Sequence, residues 1–363
     1  MPASLPSGPM STTLVTGATG LLGSHLVRAL ADRGDELRLL IRKQSDTSAL
    51  DGIEYERVTG DITDTRAVRR SVDGVDRVFH LAAKSSMETA DADRTFAVNV
   101  GGTRLIADEA LAAGVQRFVH TSSVAAIGPA PPGGRTDENQ PFTIGHLGIA
   151  YANSKHEAEG EVLRAAAHGL DAVIVNPTFT LGPSIGNVTS MSIDVVRRFL
   201  QRRIPAYVDG GLNVVDVRDV AAGEILAAEK GRTGERYILG GRNFTMQRLL
   251  ADLSRISGVP VPALRLPPQL AIGGAQLSER LGLGLGISVE QTRSAALWWT
   301  YSPAKAKREL GFTHRPHEET LEATLEMTKA QLGDRVGADP GPAGAMLELA
   351  GRAGRLASRF VPL

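Results

Sequence analysis

Tyr151 and Lys155 stand four residues apart in Tyr151-Ala152-Asn153-Ser154-Lys155, a stretch that reads as the start of a helix, so the two side chains share one face. A phenol with an ordinary pKa of about 10 is a poor acid-base catalyst at neutral pH. A nearby ammonium, joined by a cationic cofactor ring, favours phenolate and is expected to bring that value down. Upstream, the run Arg-Phe-Val-His-Thr-Ser-Ser ends in Thr121-Ser122-Ser123. If this is a strand of an open α/β sheet, its end lies at the carboxyl edge where such sheets bind ligands. A hydroxyl there can hold a substrate oxygen while Tyr151 delivers or removes its proton. Ser123 lies further toward the cleft than Ser122, a preference that rests partly on a resemblance given below. Random placement of five tyrosines and seven lysines predicts far fewer than one pair at this spacing, yet the chain has two. The second, Tyr301 with Lys305, has Pro303 between its members and follows no such strand end, so it reads as a turn entering a helix rather than a catalytic pair.

A second constellation lies near the start of the chain. Thr16-Gly17-Ala18-Thr19-Gly20-Leu21-Leu22-Gly23 follows an apolar run and opens a helical pattern in which Leu22, Leu26 and Leu30 recur every four residues. A G-x-x-G-x-x-G turn lets backbone approach a pyrophosphate, and the helix start offers N–H groups and a partial positive charge. Gly17, Thr19, Gly20, Leu21, Leu22 and Gly23 are therefore the candidate dinucleotide contacts. Where an NAD enzyme usually carries Asp or Glu at the end of the second strand, this chain has Ile41-Arg42-Lys43. Two cations suit a 2′-phosphate, so NADP(H) is expected over NAD(H); a solvated loop pair is the plain alternative. Asp61, in Gly60-Asp61-Ile62 after the third strand, can accept from the adenine amino group or simply cap a turn.

These groups need a frame to hold them. From Thr13 to Asn176, short β-branched runs alternate with helical patterns, the rhythm of βαβ units in a parallel sheet covered on both faces. After Asn176, Pro, Gly and Asn punctuate more heavily and the elements read as a smaller, mixed lobe. The expected fold class is α/β: a Rossmann-type doubly wound parallel sheet with a smaller mixed C-terminal substrate lobe. Residues 1–11 read as a disordered leader with Met10 a possible start, and 12–182 as the dinucleotide-binding domain, to which later segments are expected to return. Residues 183–332 read as mainly the substrate lobe, and 333–363 as a linker with a terminal helix, frayed or partner-binding.

Composition bounds the function. In 363 residues, 40 Lys plus Arg balance 40 Asp plus Glu, so a nucleic-acid partner is not expected. With no cysteine, disulfides, zinc-thiolate sites and thiol nucleophiles are excluded, and no metal site is expected. No apolar stretch of about 18 residues is present, so no membrane span is expected, and with no signal peptide apparent the location expected is cytoplasmic.

TGATGLLG, GDITD, HLAA, NVGGT, TSS, YxxxK and the Asn-Pro of IVNPT occur in this order across residues 13 to 183. Together they resemble the extended short-chain dehydrogenase/reductase superfamily. IVNPTFTLGP, AYVDGGLNVVDVRDVA, GERYILGG and SPAKAKRELGF look most like its dihydroflavonol reductase-like branch, which includes bacterial proteins described as hopanoid-associated sugar epimerases. The resemblance covers about nine tenths of the chain. It implies a Ser123, Tyr151 and Lys155 triad, with Asn99 organising the proton path and Lys155 also holding the nicotinamide ribose. Cofactor contacts then extend to Ile62, to Leu81-Ala82-Ala83 and to Asn176-Pro177-Thr178; Lys84, Ser85, Val124, Phe179 and Met191 are the candidate substrate contacts. It further implies a homodimer packed through the helices carrying NVGGT and YxxxK. Sugar-nucleotide epimerases of the superfamily typically show Arg-Tyr-x-Asn-Val-Tyr-Gly-Pro where this chain has Val173 to Pro183, without the Arg or either Tyr. The presumed substrate loops, Lys84 to Met87 and Phe179 to Met191, are rich in Ser, Thr and apolar residues. An NADP(H)-dependent oxidoreductase acting on a ketone, or the reverse alcohol, of a mostly apolar small molecule such as a flavonoid, terpenoid or steroid-like compound is therefore expected. The alternatives are a sugar-nucleotide epimerase or dehydratase, in which Arg197, Arg198, Arg202 and Arg203 would meet the diphosphate, and a non-catalytic dinucleotide-binding scaffold.

Overall fold

Each apolar run predicted in the first half forms a parallel strand, and helices follow the first, third, fourth and fifth of them. The computed structural model describes residues 11–85, 89–188, 190–204, 206–262, 264–280 and 288–337. The first half runs β1 (Thr12–Thr16), α1 (Leu21–Asp32), β2 (Glu36–Ile41), β3 (Glu56–Thr59), α2 (Thr65–Val72), β4 (Arg77–His80), α3 (Ala92–Phe96), α4 (Gly102–Ala112), β5 (Arg117–Thr121), α5 (Ala150–Ala167) and β6 (Ala172–Pro177). The second half runs β7 (Phe179–Leu181), α6 (Met191–Leu200), β8 (Ala206–Val208), β9 (Gly211–Asp216), α7 (Val217–Lys230), β10 (Arg236–Leu239), β11 (Arg242–Thr245), α8 (Met246–Ser257), β12 (Leu264–Leu266), α9 (Pro268–Arg280), α10 (Val289–Ala295), β13 (Trp298–Trp299), α11 (Ala304–Leu310) and α12 (His317–Leu332).

The main sheet has seven strands in the order β10-β6-β5-β4-β1-β2-β3, all parallel. The chain therefore reverses its direction of travel between β1 and β4, and the crevice above that point is where a doubly wound sheet takes its ligand. Alternation along the strands divides the core. Val15, Phe79 and Val119 pack with Leu26 and Leu30 of α1 and with α7. Leu14, Val78 and Phe118 pack on the other face with α2, α4 and α5. Leu26 and Leu30 are completely buried whereas Leu22 is only partly so, because it sits where the two lobes meet. Burying each such leucine contributes about 1.5–3 kcal/mol.

The segments beyond residue 182 that return to this sheet are β10, which pairs with β6, and the helices α7 and α11, which pack into the α1 face. Without β10, β6 would expose an apolar edge, a known liability of open sheets. The smaller lobe builds on β9, which pairs antiparallel with β11 and parallel with β7 and β13. Its core gathers Leu181 of β7 with Val196, Phe199, Leu249, Leu253, Leu321 and Leu325 from α6, α8 and α12. Among the described residues no helix is long and apolar enough to cross a membrane, and no group of three His, Asp or Glu is arranged to hold a metal ion.

Two imidazoles lie inside the sheet. His80 ends β4 with Nδ1 2.8 Å from the Thr16 hydroxyl and Nε2 3.0 Å from that of Thr103, and it stacks on His120 of β5 at 5.3 Å. Burial, reinforced by the charge of Lys155, pushes His80 down to about 3, and it holds His120 well below the usual histidine range. The folded rings stay neutral while the unfolded ones take protons below about 6.5, so stability present above that pH is lost as pH falls toward about 3. Each ring contributes roughly 1.4 kcal/mol per pH unit within that window. We expect urea unfolding to show this acid weakening and His80→Gln to make its slope shallower; identical slopes in the two proteins would contradict it.

Candidate active site

The glycine turn closes through Gly20 N–H to Gly17 O at 3.0 Å and Ser24 N–H to Gly20 O at 3.0 Å. Gly17 has φ +74°, and a Cβ there would lie 2.7 Å from the Ala82 nitrogen; at Gly23 it would lie 2.1 Å from Gly17 O. Both glycines are thus demanded by close backbone approach. The Thr16 hydroxyl accepts from Ala82 N–H at 3.1 Å, and Leu81 N–H donates to Thr16 O at 3.1 Å. The Leu81-Ala82-Ala83 segment is so strapped beside the turn. The N-cap of α1 is Gly20, with no side-chain acceptor and no acidic residue in the first turn, whereas Asp64 and Asp216 cap α2 and α7. A bare helix start behind a cradle that tolerates no Cβ fits a dinucleotide pyrophosphate. Thr19, Gly20 and Leu22 are partly exposed around it, while Leu21 is buried.

At the outer end of the crevice, Arg42 and Lys43 follow β2 and are exposed. Arg57 of β3, which sequence reasoning missed, donates to Arg42 O at 3.3 Å and brings a third cation there. Asp61 Oδ1 accepts from the Thr63 amide at 3.1 Å and hydroxyl at 2.9 Å, which is the turn-capping alternative. Ile62 fills the hollow over Gly102, where a Cβ would come within 2.9 Å of it.

At the inner end, β5 delivers Ser123 in extended backbone. Its hydroxyl accepts from Ala125 N–H at 3.1 Å, and its carbonyl accepts from Asn176 Nδ2 at 2.9 Å. The Tyr151 hydroxyl, from the first turn of α5, lies near enough to Ser123 for that side chain to pull its pKa down. Ser122, by contrast, is buried, and its hydroxyl has no hydrogen-bond partner among the described residues. Of the two serines, only Ser123 meets the phenol. Lys155, one helical turn after Tyr151, is 3% exposed and donates to Thr121 O at 2.8 Å.

The expectation that the ammonium lowers the phenol is overturned in the protein alone. Burial is the largest influence on Tyr151 and pushes it above the ordinary tyrosine range, and the Ser123 hydroxyl pulls the other way. The ammonium is spent on a backbone carbonyl rather than on the phenol. Lys155 itself is brought down to about 8 by burial, against the pull of Glu159 and Glu224.

Asn99 lies in a π-helical turn, Ala97–Gly101, between α3 and α4. Such turns recur at functional sites. Its Oδ1 accepts from Lys84 N–H at 2.7 Å; its Nδ2 donates to Lys84 O at 3.0 Å and to the Ser154 hydroxyl at 2.9 Å. Ser154 in turn donates to Tyr151 O at 2.9 Å, so Asn99 braces the start of α5 against the end of β4. The Lys84 ammonium pairs with Asp91 at 2.9 Å. Asn176 also donates to Glu159 at 2.6 Å, Pro177 closes β6, and the Thr178 hydroxyl donates to Asn213 at 2.9 Å, so this segment ties the two lobes. Val124 is buried beside Ser123, Ser85 is exposed, Phe179 packs in the smaller lobe, and Met191 opens α6. Ser86, Met87 and Thr189 of the predicted substrate loops lie outside the described residues.

Missed by sequence reasoning is the apolar cluster that Tyr151 joins: with Phe142, Leu147, Leu297 and Trp299 it packs on Ala125, Ile144, Ile149 and Ala152. The adjacent tryptophans, the chain's only two, were the available signal. Tyr301, rejected above as catalytic, donates its hydroxyl to Val124 O at 3.2 Å and Gly128 O at 2.7 Å, and so anchors the loop after Ser123. Lys305 instead pairs with Glu235 at 2.6 Å.

Comparison with known proteins agrees with this geometry. The chain is 43% identical over 272 residues to "Sterol demethylase protein B" of Methylococcus capsulatus, covering 74% of this chain and 82% of the relative. It is 39% identical over 315 residues to "Putative dihydroflavonol 4-reductase" of Synechocystis sp., covering 85% and 91%. The crystal structure of gox2253 superposes with a TM-score of 0.78 at 37% identity, covering 91% of this chain and 100% of that one. Residues 13–240, which carry the glycine turn, Ser123, Tyr151 and Lys155, match the pattern of the NAD dependent epimerase/dehydratase family, whose members bind NAD(P), and the chain belongs to that family.

Proposed function

We propose that this protein is an NADP(H)-dependent oxidoreductase that interconverts a ketone and an alcohol on a mostly apolar small molecule. The observation that carries this reading is Tyr151, acted on by Ser123, set in an apolar cluster that Phe142, Leu147, Leu297 and Trp299 also join. A polar pair on an apolar surface suits a greasy substrate with one oxygen to be handled. Two similar proteins carry names that point to a sterol and a dihydroflavonol, which supports the same class. When bound, the dinucleotide supplies or takes a hydride at the carbonyl carbon. The chain's own residues do the rest. Ser123 donates to the substrate oxygen and steadies its developing charge, and Tyr151 gives that oxygen its proton. A phenol is protonated at neutral pH, and burial raises Tyr151 further, so it stands ready as the acid that reduction requires. Lys155 holds the strand end and keeps a positive charge below the phenol until pH rises through about 8.

The sugar-nucleotide alternative needs cations for a diphosphate. Lys84 is paired with Asp91, and Arg197 and Arg198 with Asp194 at 3.9 and 2.7 Å, on a partly exposed face of α6. For the cofactor, Arg42, Lys43 and Arg57 support a 2′-phosphate. Leu163 on α5, 44% exposed, supports a homodimer built on α4 and α5.

The test is NADPH oxidation over apolar ketones set beside nucleotide sugars. Turnover of a ketone is expected, with Tyr151→Phe lowering it by about 10²–10⁴-fold and the wild-type rate declining above pH 8. Stoichiometric NAD(H) released on denaturation, with turnover of a nucleotide sugar only, would favour the epimerase instead. Arg42→Asp should weaken NADPH binding on the order of tenfold or more and leave NADH binding little changed; equal losses would remove the basis for the cofactor assignment. Sedimentation of the intact protein should give a dimer that Leu163→Arg dissociates, and a wild-type monomer would exclude that assembly.

A further inference from the structure

α7 carries an acid where its neighbours are apolar. Val220, Ala221, Ile225 and Ala227 of this helix pack into the core with Leu26 and Leu30 of α1, and Glu224 among them is completely buried. Its Oε1 accepts from the Thr121 hydroxyl at 2.6 Å, and its Oε2 has no hydrogen-bond partner among the described residues. Thr121 is also the residue whose carbonyl accepts from Lys155 at 2.8 Å. One strand-end residue therefore joins a carboxyl on one face of the sheet to an ammonium on the other. A carboxyl buried without a cationic hydrogen-bond partner is costly, and a leucine would fill the same place on an apolar helix face. Such a group calls for a role other than packing.

We infer that Glu224 is a positioning residue for Lys155: bonded through Thr121, it holds the strand end that receives the ammonium and favours the charged form of that lysine. The inference rests on the reading of Tyr151 and Lys155 given above. The surrounding groups leave Glu224 this task. On α5, Glu159 also favours the ammonium, but it is shared with Asn176 at 2.6 Å and with Arg236 of β10 at 3.3 Å. From β4 and β5, His80 and His120 face the same lysine and are held neutral by burial. From β9 and α7, Asp216 and Asp219 are engaged by Arg218 and Arg315. From α1 and α11 the side chains nearest in the core, Leu26, Leu30, Ala306 and Leu310, carry no charge. Burial raises Glu224 to about 8 and lowers Lys155 to about 8, and each charge opposes the other's shift. Within the neutral range the two form one coupled site.

The experiment follows Lys155 directly, without turnover. The full chain is labelled with [ε-¹³C]lysine, the Lys155 signal is identified by its loss in Lys155→Met, and its pH midpoint is read in wild type and in Glu224→Gln. Glutamine keeps the shape and the acceptor for Thr121 but removes the charge, so the midpoint should fall by about one unit or more. Thr121→Val, which cuts the link and keeps the strand's β-branched packing, should lower it in the same direction and serves if the first variant does not fold. In an enzyme that reduces ketones, the alkaline limb of kcat should move down with the lysine signal in Glu224→Gln. A midpoint unmoved by the substitution, or a moved midpoint with an unmoved kcat profile, overturns the inference. If the wild type turns over no ketone, the functional reading fails, and the lysine midpoint still decides this one.

Discussion

A single ammonium taken out of water governs the arrangement of the centre of this molecule. Lys155 is buried, and a buried charge survives only where hydrogen bonds and countercharges replace hydration. The carbonyl of Thr121 supplies the hydrogen bond, Glu159 supplies countercharge from its own helix, and Glu224, raised to about 8 by burial, adds charge from α7 as it ionises. Each of these demands its own support. Glu159 is held by Asn176 and Arg236, and Asn176 also holds the carbonyl of Ser123. The same chain of contacts that makes the lysine tolerable therefore fixes the serine that meets Tyr151. Burial of the lysine and placement of the serine are in this respect one requirement.

The cofactor end of the crevice obeys a different constraint, that of space. Around the glycine turn the backbone of Gly17 lies so near Leu81 and Ala82 that no side chain is admitted, and Thr16 fastens both sides with its hydroxyl and carbonyl. The Thr16 hydroxyl also meets His80, which reaches Thr103 of α4 through its second nitrogen. The pyrophosphate cradle is so coupled to the helix layer below it by a buried polar chain, and neutral imidazoles are what permit that chain to lie beside Lys155.

How much of this could be read from the sequence follows from the range over which each feature acts. The glycine turn, the Tyr151–Lys155 spacing and the parallel strands are local, and each leaves a periodic or spaced pattern along the chain. Asn99 was named through resemblance alone; its bracing of Lys84 and Ser154 depends on a π-helical turn that no spacing rule anticipates. Glu224 looks like any helical glutamate until α7 is seen packed against β5. Leu297 and Trp299 lie far from Tyr151 in sequence and join the same cluster beside the bridge of Trp298 to Ala130. In the protein alone, without the cationic cofactor ring, the Tyr151 pKa stands above rather than below its ordinary range for a related reason: proximity along the helix is visible in the sequence, but burial and the engagement of the ammonium by Thr121 are not.

The two lobes meet in a way that bears on how substrate choice and chemistry can change independently. The loop that follows Ser123 is bonded to the smaller lobe at Ala130 N–H to Trp298 O, 2.8 Å, and at Thr136 N–H to Thr300 O, 3.0 Å. Tyr301 pins the same loop from within, through the carbonyls of Val124 and Gly128. The segment 297–301 therefore adds Leu297 and Trp299 to the apolar cluster that Tyr151 joins, and braces the loop after Ser123 with its backbone and with Tyr301. Side chains of that cluster can vary without disturbing those backbone bonds. A change in the backbone of this segment would instead disturb the bonds that hold the loop after Ser123.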